Sequence, residues 1–518
     1  MLTMSSILKR AARLYGDRTA IIEGQWCKSW SEFTERITRA AGVLASLGIR
    51  TGDRFGIISH NSFRQAELIN AGYWLGAVPV PINYRLAPPE IRYILEDADC
   101  KLLAVSDAFL HLLKTGDIQP WKDRVLYLSS EQAGMELPQY DILIDSVEPV
   151  AMHDAAPDDN AILLYTGGTT GRSKGVKLSH ANIIANAMQI GLSISAREND
   201  RFLHLLPMFH SADLFGTVFT IVGGVHVYVK DFSPKILLQA VHEHRITVLS
   251  LAPTVIILTL QDADFEQYDR SSIRLIFYGS APVAVEWIRR TMEKFPNAGL
   301  QQGYGLTETS PILTTLTPEE HIRAITTGSH ELLRSVGKPV MHVELRIVDK
   351  HDNELPAGET GEIVVRGPNV SKGYLGLPQL NEETFRGGWF HTGDIGQLDK
   401  EYNLYIKDRM KDMIVTGSEN VYSSEVEAAL YKHPAVHEAA VVGIPDEKWG
   451  EAVFAVIVPS PGQTITEEEI IAHCRDHIGG FKIPRRMAFV KELPKSAMGK
   501  ILKTELRRIY SKRADLIS

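Results

Sequence analysis

Cysteine is nearly absent from this chain. Cys27, Cys100 and Cys474 are the three in 518 residues, far apart and without CxxC spacing. That excludes a disulfide framework and a thiolate zinc site and fits a reducing compartment. Each thiol reads as a small buried apolar side chain. An excess of positive charge is absent too: 55 Lys and Arg stand against 63 Asp and Glu, a formal net charge of −8. A nucleic-acid partner held by bulk charge is therefore not expected. No apolar run reaches the ~18 residues of a membrane-spanning helix; the longest, residues 248–260, is broken by Ser250, Pro253 and Thr254. Lys9, Arg10 and Arg13 lie on a short amphipathic pattern with no apolar core of a secretory signal behind them. The expectation is a cytoplasmic protein, with peripheral membrane contact and a homodimer left open.

What is present is too long for one core; domain statistics give roughly three or four core-sized units. Residues 31–47, 63–75 and 89–98 repeat apolar residues at helical spacing, and 55–59, 78–82 and 101–105 read as strands. The alternation resumes over about 160–310, with strands at 202–206, 224–229, 248–251 and 275–278. Such alternation predicts doubly wound parallel sheets, two α/β subdomains in all. From about residue 337, short strands separated by Gly, Pro, Asp and Asn predict a small β-rich subdomain. From about residue 409 a compact α+β unit follows, and the expected domains are 1–408 and 409–518.

The densest chemistry is Tyr165-Thr166-Gly167-Gly168-Thr169-Thr170-Gly171-Arg172-Ser173-Lys174-Gly175, after an apolar run at 161–164. Glycines let backbone N–H groups curl around an anion, and the hydroxyls and lysine add donors and charge. No Gly-Lys-Ser/Thr ends the segment, so it is not a Walker A loop. Alone it reads equally well as a surface loop. Four further segments follow: Tyr304-Gly305-Leu306-Thr307-Glu308, Trp389-Phe390-His391-Thr392-Gly393-Asp394, Asp408-Arg409-Met410-Lys411-Asp412 and Pro494-Lys495-Ser496-Ala497-Met498-Gly499-Lys500.

In that order the five segments resemble the adenylate-forming superfamily of acyl-CoA synthetases, carrier-loading adenylation domains and beetle luciferases, over essentially the whole chain. Residues 407–421 and 444–451 look most like the fatty-acyl-CoA branch. Leu206-Pro207-Met208-Phe209-His210 is similar to both that branch and the coumarate-type ligases. The resemblance implies ATP, Mg²⁺ and coenzyme A as reactants beside a small carboxylic acid, and a mobile C-terminal domain. It implies that Thr166, Gly167, Gly168, Thr169, Thr170 and Lys174 hold phosphates, and that Glu308, with Thr170, ligates Mg²⁺. Ser280, Ala281, Gln302, Gly303 and Tyr304 would frame adenine, and Thr307 would reach the α-phosphate. Asp394 and Arg409 would hold the ribose. Lys500 would bridge the acid and the α-phosphate, suited to this as a compact charge on a long stem. Gly417, Ser418 and Glu419 would line the path of the CoA arm, and Lys411 would be the hinge. His210 reads equally as catalytic or as pocket lining.

Gly167 and Ser173 depart from the serine and proline of many relatives, and Ser418 stands where glycine is common, its added Cβ and hydroxyl expected to narrow the thiol path. The acyl pocket is expected from Phe209, His210, Ser211, Ala212, Phe215, Tyr278, Gly303, Pro311 and Ile312. The small pair Ser211 and Ala212 suggests a roomy cavity. The expectation is a CoA ligase for a medium- or long-chain fatty acid; an aryl acid–CoA ligase and an acyl-AMP ligase loading a carrier protein are the alternatives.

Overall fold

A computed structural model describes residues 3–129, 137–166, 173–280, 283, 285–416, 419–446, 449–495 and 501–511. The chain divides into two compact units, residues 1–345 with 365–390, and residues 346–364 with 391–518.

Local chemistry sets the elements of the first unit. The helix Phe63–Leu75 starts on Ser62, whose hydroxyl accepts from the Gln65 N–H, and stops at Gly76 in the left-handed region (φ 74°); that conformation costs glycine nothing. The helix Pro234–His244 starts on Ser233 with proline in its first turn. Strands such as Leu275–Gly279 are continuously apolar, as expected where helices cover both faces of a parallel sheet.

Two parallel-rich sheets result. A four-stranded sheet runs Val78–Pro81, Arg54–Ile58, Cys100–Ser106 and Val125–Leu128. A nine-stranded sheet runs Lys338–Pro339, Thr314–Leu316, Gly299–Tyr304, Leu275–Gly279, Val248–Leu251, Arg201–His204, Val225–Tyr228, Thr19–Glu23 and Trp26–Ser29. The mixed α/β, doubly wound class read from the sequence is the observed one. Two placements differ from the local pattern. The second sheet is not confined to residues 160–310: Thr19–Glu23 pairs in parallel with Val225–Tyr228, some two hundred residues on. The strand Asn160–Thr166 joins neither sheet but forms an antiparallel hairpin with Lys174–Ser179.

The first unit's core includes fully buried Trp30, Tyr140, Phe55 and Leu44, each large apolar side chain contributing about 1.5–3 kcal/mol. Within it Glu67 is completely buried, accepts from Arg36 Nε at 2.5 Å and Nη2 at 3.1 Å, and accepts from the Tyr140 hydroxyl at 2.7 Å.

The second unit carries a four-stranded sheet ordered Glu344–Val348, Thr360–Arg366, Phe390–Leu398, Leu404–Arg409, and a sheet ordered Glu419–Val421, Ile414–Thr416, Gly450–Pro459, Val436–Asp446, with Arg486–Phe489 parallel to Gly450–Pro459. No helix among the described residues is long and apolar enough to cross a membrane.

Glu67→Ala leaves the Arg36 guanidinium without its buried partner. Denaturant unfolding is expected to show a loss of roughly 3–5 kcal/mol; a loss within ~0.5 kcal/mol would mean the pair adds nothing to the helix packing.

Candidate active site

In the first unit the presumed nucleotide residues collect at the carboxyl ends of two parallel strands, where ligands of open α/β sheets bind. Leu275–Gly279 and Gly299–Tyr304 pair in register, Gly279 beside Gly303. A Cβ on Gly279 would come within 2.3 Å of the Gly303 carbonyl oxygen, and one on Gly303 within 2.1 Å of the Phe277 ring. Two steps further, a Cβ on Gly305 would lie 1.9 Å from the Pro311 carbonyl oxygen. Glycine thus lets the backbone close on itself where Ser280 and Thr307 follow the paired strands, the second of which carries Gln302, Gly303 and Tyr304. Ser280 takes the left-handed region (φ 71°). Ala281 lies outside the described residues.

Glu308 sits in the single turn Thr307–Thr309 and is 8% exposed. The Tyr374 hydroxyl donates to its Oε1 at 2.9 Å. The Thr307 hydroxyl lies 3.1 Å from that of Ser211, which ties this turn to the segment after His210. His210 Nδ1 accepts from the Ala212 N–H at 3.2 Å, so the ring proton belongs on Nε2. Thr166 pairs with Lys174 across the hairpin. Lys174 Nζ stands 5.2 Å over the centroid of the Tyr374 ring. The Tyr165 hydroxyl donates to Asp97 at 2.5 Å. Gly167, Gly168, Thr169 and Thr170 lie outside the described residues.

The expected acyl residues do not all face a cavity. Phe215 and Tyr278 are each 1% exposed. Phe215 packs among Phe202, Phe219 and Phe277. The Tyr278 hydroxyl is directed at Gln302 Oε1 (3.3 Å) and His321 Nε2 (2.8 Å). His321 Nδ1 donates the ring's proton to the Thr317 carbonyl, and burial pushes the pKa down to about 4; Nε2 of the neutral ring accepts from Tyr278. Phe209 meets Tyr84 edge-on at 5.3 Å. Ile312 donates to Asn186 Oδ1 at 3.1 Å, after the cis peptide between Ser310 and Pro311.

Several supports escaped the motif reading. Asn61 donates to the His204 and Leu206 carbonyls and accepts from the Met208 N–H, clamping the segment before His210. His204 bridges Asp213 (2.6 Å) and His226 (2.9 Å) beneath it. Burial, and then the neighbouring His204, hold the His226 imidazole well below its usual range. No local pattern singles these residues out, because their partners are remote in sequence.

In the second unit Asp394 is buried on the strand Phe390–Leu398, opposite Arg409, whose Nε lies 2.5 Å from its Oδ1. Gly393 precedes it at φ 68°. Asp408 Oδ2 accepts from the Ser423 N–H (2.5 Å) and hydroxyl (2.6 Å), and Lys503 donates to that hydroxyl at 2.6 Å. Asp412 pairs with Arg507 at 2.9 Å. Lys411 therefore lies between two carboxylates anchored to the helices Ser423–Leu430 and Lys503–Ser511. Glu419 begins a short strand paired with Ile414–Thr416. Gly417, Ser418 and Lys500 lie outside the described residues.

The chemistry of the donors fits magnesium. Among the described residues no group of three or more His, Cys, Asp or Glu could cage an ion. A single buried carboxylate such as Glu308 suits Mg²⁺, which keeps waters and shares substrate phosphates instead of filling an all-protein site.

Similarity to known proteins runs along nearly the whole chain. The family described as AMP-binding enzyme matches residues 8–375, and the AMP-binding enzyme C-terminal domain matches residues 425–500. A feruloyl-CoA synthase of Amycolatopsis sp. is 34% identical, covering 97% of this chain and 98% of its own. A 2-succinylbenzoate–CoA ligase of Geobacillus sp. (strain WCH70) is 33% identical, covering 97% and 96%. The o-succinylbenzoate CoA synthetase of Bacillus subtilis, solved with its acyl-adenylate intermediate, superposes with a TM-score of 0.85 at 31% identity, covering 97% of each chain.

Gly305→Ala must displace the backbone between Tyr304 and the Glu308 turn. Acid-dependent ATP–pyrophosphate exchange is expected to fall about a hundredfold, as for ångström-scale misplacement; exchange within about twofold of the parent would show that the close approach at Pro311 is dispensable.

Proposed function

The chain belongs to the AMP-binding enzyme family, and from that premise we propose that the acid it activates is aromatic. The reaction is ATP-dependent ligation of a carboxylic acid to CoA by way of an acyl-adenylate, with ATP, Mg²⁺ and CoA as the other participants.

A carboxylate is a poor acyl donor because its leaving group would be oxide. Attack of the carboxylate oxygen on the α-phosphorus makes the mixed anhydride and expels pyrophosphate; a thiolate then attacks the carbonyl carbon and AMP leaves. Both steps build negative charge on crowded oxygens, so the protein must present fixed cations and N–H donors. Lys174 and residues 166–170 are assigned to the β- and γ-phosphates. Ser280, Ala281 and Gln302–Tyr304 are assigned to adenine, and Thr307 to the α-phosphate. Asp394 and Arg409 are assigned to the ribose hydroxyls: the buried carboxylate, set beside the guanidinium, offers its oxygens as acceptors. Glu308, with Thr170, would hold Mg²⁺, which when bound neutralises phosphate charge. Lys500 is assigned to adenylation and residues 417–419 to thiol transfer. A pivot at Lys411, between domains 1–408 and 409–518, would let one C-terminal domain serve both half-reactions.

The observation that carries the aromatic reading is the burial of two residues expected to line the acyl site. A long alkyl chain needs a tunnel, and two residues expected to line one, Phe215 and Tyr278, are packed into the core at 1% exposure. The remaining Phe209, His210, Ala212, Gly303 and Pro311 suit a compact, rigid acid that can stack on a ring. Relatives named for feruloyl and 2-succinylbenzoyl groups support the same class. The medium- or long-chain fatty acid expected from the sequence is set aside accordingly; small residues at 211 and 212 signal width, and the buried Ser211 hydroxyl is already engaged by Thr307.

Supplied with ATP, Mg²⁺ and CoA, the protein is expected to form thioesters of cinnamic- or benzoic-type acids with kcat/KM at least about tenfold above those for octanoate to palmitate, the products identified by mass. The reverse order would overturn the aromatic assignment. Lys500→Ala should abolish acid-dependent pyrophosphate release yet leave conversion of a supplied aryl-adenylate to thioester largely intact; equal loss of both would remove Lys500 from its role.

A further inference from the structure

Tyr374 carries none of the roles assigned above, yet it touches two residues that do. It lies in the irregular segment 367–375, which bridges two pieces of the first unit. On one side the Lys177 N–H donates to the Gly373 carbonyl (3.1 Å) and the Leu375 N–H to the Gly175 carbonyl (2.8 Å), so the segment lies against the strand Lys174–Ser179. On the other, the Ser371 N–H donates to the Glu308 carbonyl (2.7 Å) and Asn369 Nδ2 to the Thr309 carbonyl (2.9 Å), so it also braces the Glu308 turn. The Tyr374 side chain repeats this bridge. Its hydroxyl donates to Glu308 Oε1 at 2.9 Å, and its ring faces Lys174 Nζ at 5.2 Å. The ring is itself immobilised. It is buried, the Tyr374 backbone N–H donates to Asn381 Oδ1 at 2.7 Å, and Phe385 meets the ring edge-on at 6.1 Å.

We propose that Tyr374 is a positioning residue for metal-bound ATP: one phenol sets the plane of the Glu308 carboxylate and the stance of the Lys174 ammonium. The inference rests on the assignment of Glu308 to Mg²⁺ and Lys174 to phosphate. The terminal torsion of glutamate is broad and two-fold, so a buried glutamate does not by itself present one oxygen in one direction. A charge-assisted hydrogen bond to Oε1 removes that freedom and leaves Oε2 for a cation. Partners of this kind, one bond removed from the ion, orient ligands and govern metal affinity. The ring face attracts the lysine ammonium without neutralising it, so the charge remains available to phosphate. The hydroxyl also occupies the carboxylate oxygen to which Lys174 would otherwise be drawn, and a direct Lys–Glu pair would withdraw both groups from the nucleotide.

Tyr374→Phe deletes the hydroxyl and keeps the ring. With Mn²⁺ as the probe, electron paramagnetic resonance of the intact chain with ATP should show Mn²⁺ binding weakened about tenfold or more, while ATP binding in EDTA stays within about twofold. Tyr374→Leu, which loses the ring as well, should weaken ATP binding in EDTA too. In a Glu308→Gln background Tyr374→Phe should have no further effect on Mn²⁺ binding; a purely structural tyrosine would weaken both backgrounds alike. If Glu308→Gln weakens Mn²⁺ binding and Tyr374→Phe does not, the positioning role is wrong and the metal assignment stands. If neither does, the Glu308 assignment fails and the inference falls with it.

Discussion

The close approach of two parallel strands at Gly279 and Gly303 is the constraint on which the proposed nucleotide side of this protein depends. Backbone meets backbone there with no room for a methyl group. That intimacy gathers Ser280, Gln302, Tyr304 and Thr307 at the ends of two neighbouring strands. A site built from strand ends is stiff because each end belongs to a hydrogen-bonded ladder. The functional groups therefore inherit the rigidity of the sheet and do not have to be ordered when substrate arrives, which is where preorganised catalysis gains over water.

Around this frame four buried carboxylates among the described residues each have a partner. Glu67 has Arg36 and Tyr140, Asp394 has Arg409, Asp408 has Ser423, and Glu308 has Tyr374. The partners differ in kind. A guanidinium cancels charge and locks structure, as at Glu67, where desolvation by complete burial raises the carboxyl pKa and the guanidinium and phenol oppose it. A phenol directs a carboxylate without cancelling it, leaving an anion able to bind a cation. The chemistry of each neighbour thus separates Glu67, whose charge a guanidinium cancels, from Glu308, which a hydroxyl directs.

The acyl end obeys a packing logic instead. Phe215 joins Phe202, Phe219 and Phe277 because a ring surrounded by rings buries more area than one left lining a void, and Tyr278 is held by its hydroxyl to a neutral histidine.

Much of this was written locally. Periodicity marked the helices 31–47 and 63–75 and the strands near 248 and 275, since a side chain's face depends on residues two to four positions away. The five short motifs, in order, identified the chemistry, because phosphate, metal and ribose each demand particular donor types. Tertiary structure alone decided the rest. The pairing of Thr19–Glu23 with Val225–Tyr228, the burial of Phe215 and Tyr278, and the meeting of Tyr374 with Glu308 and Lys174 all join residues tens to hundreds of positions apart. No local pattern encodes such meetings, for they are chosen by which long-range packing buries the most apolar surface while leaving no polar group unpaired.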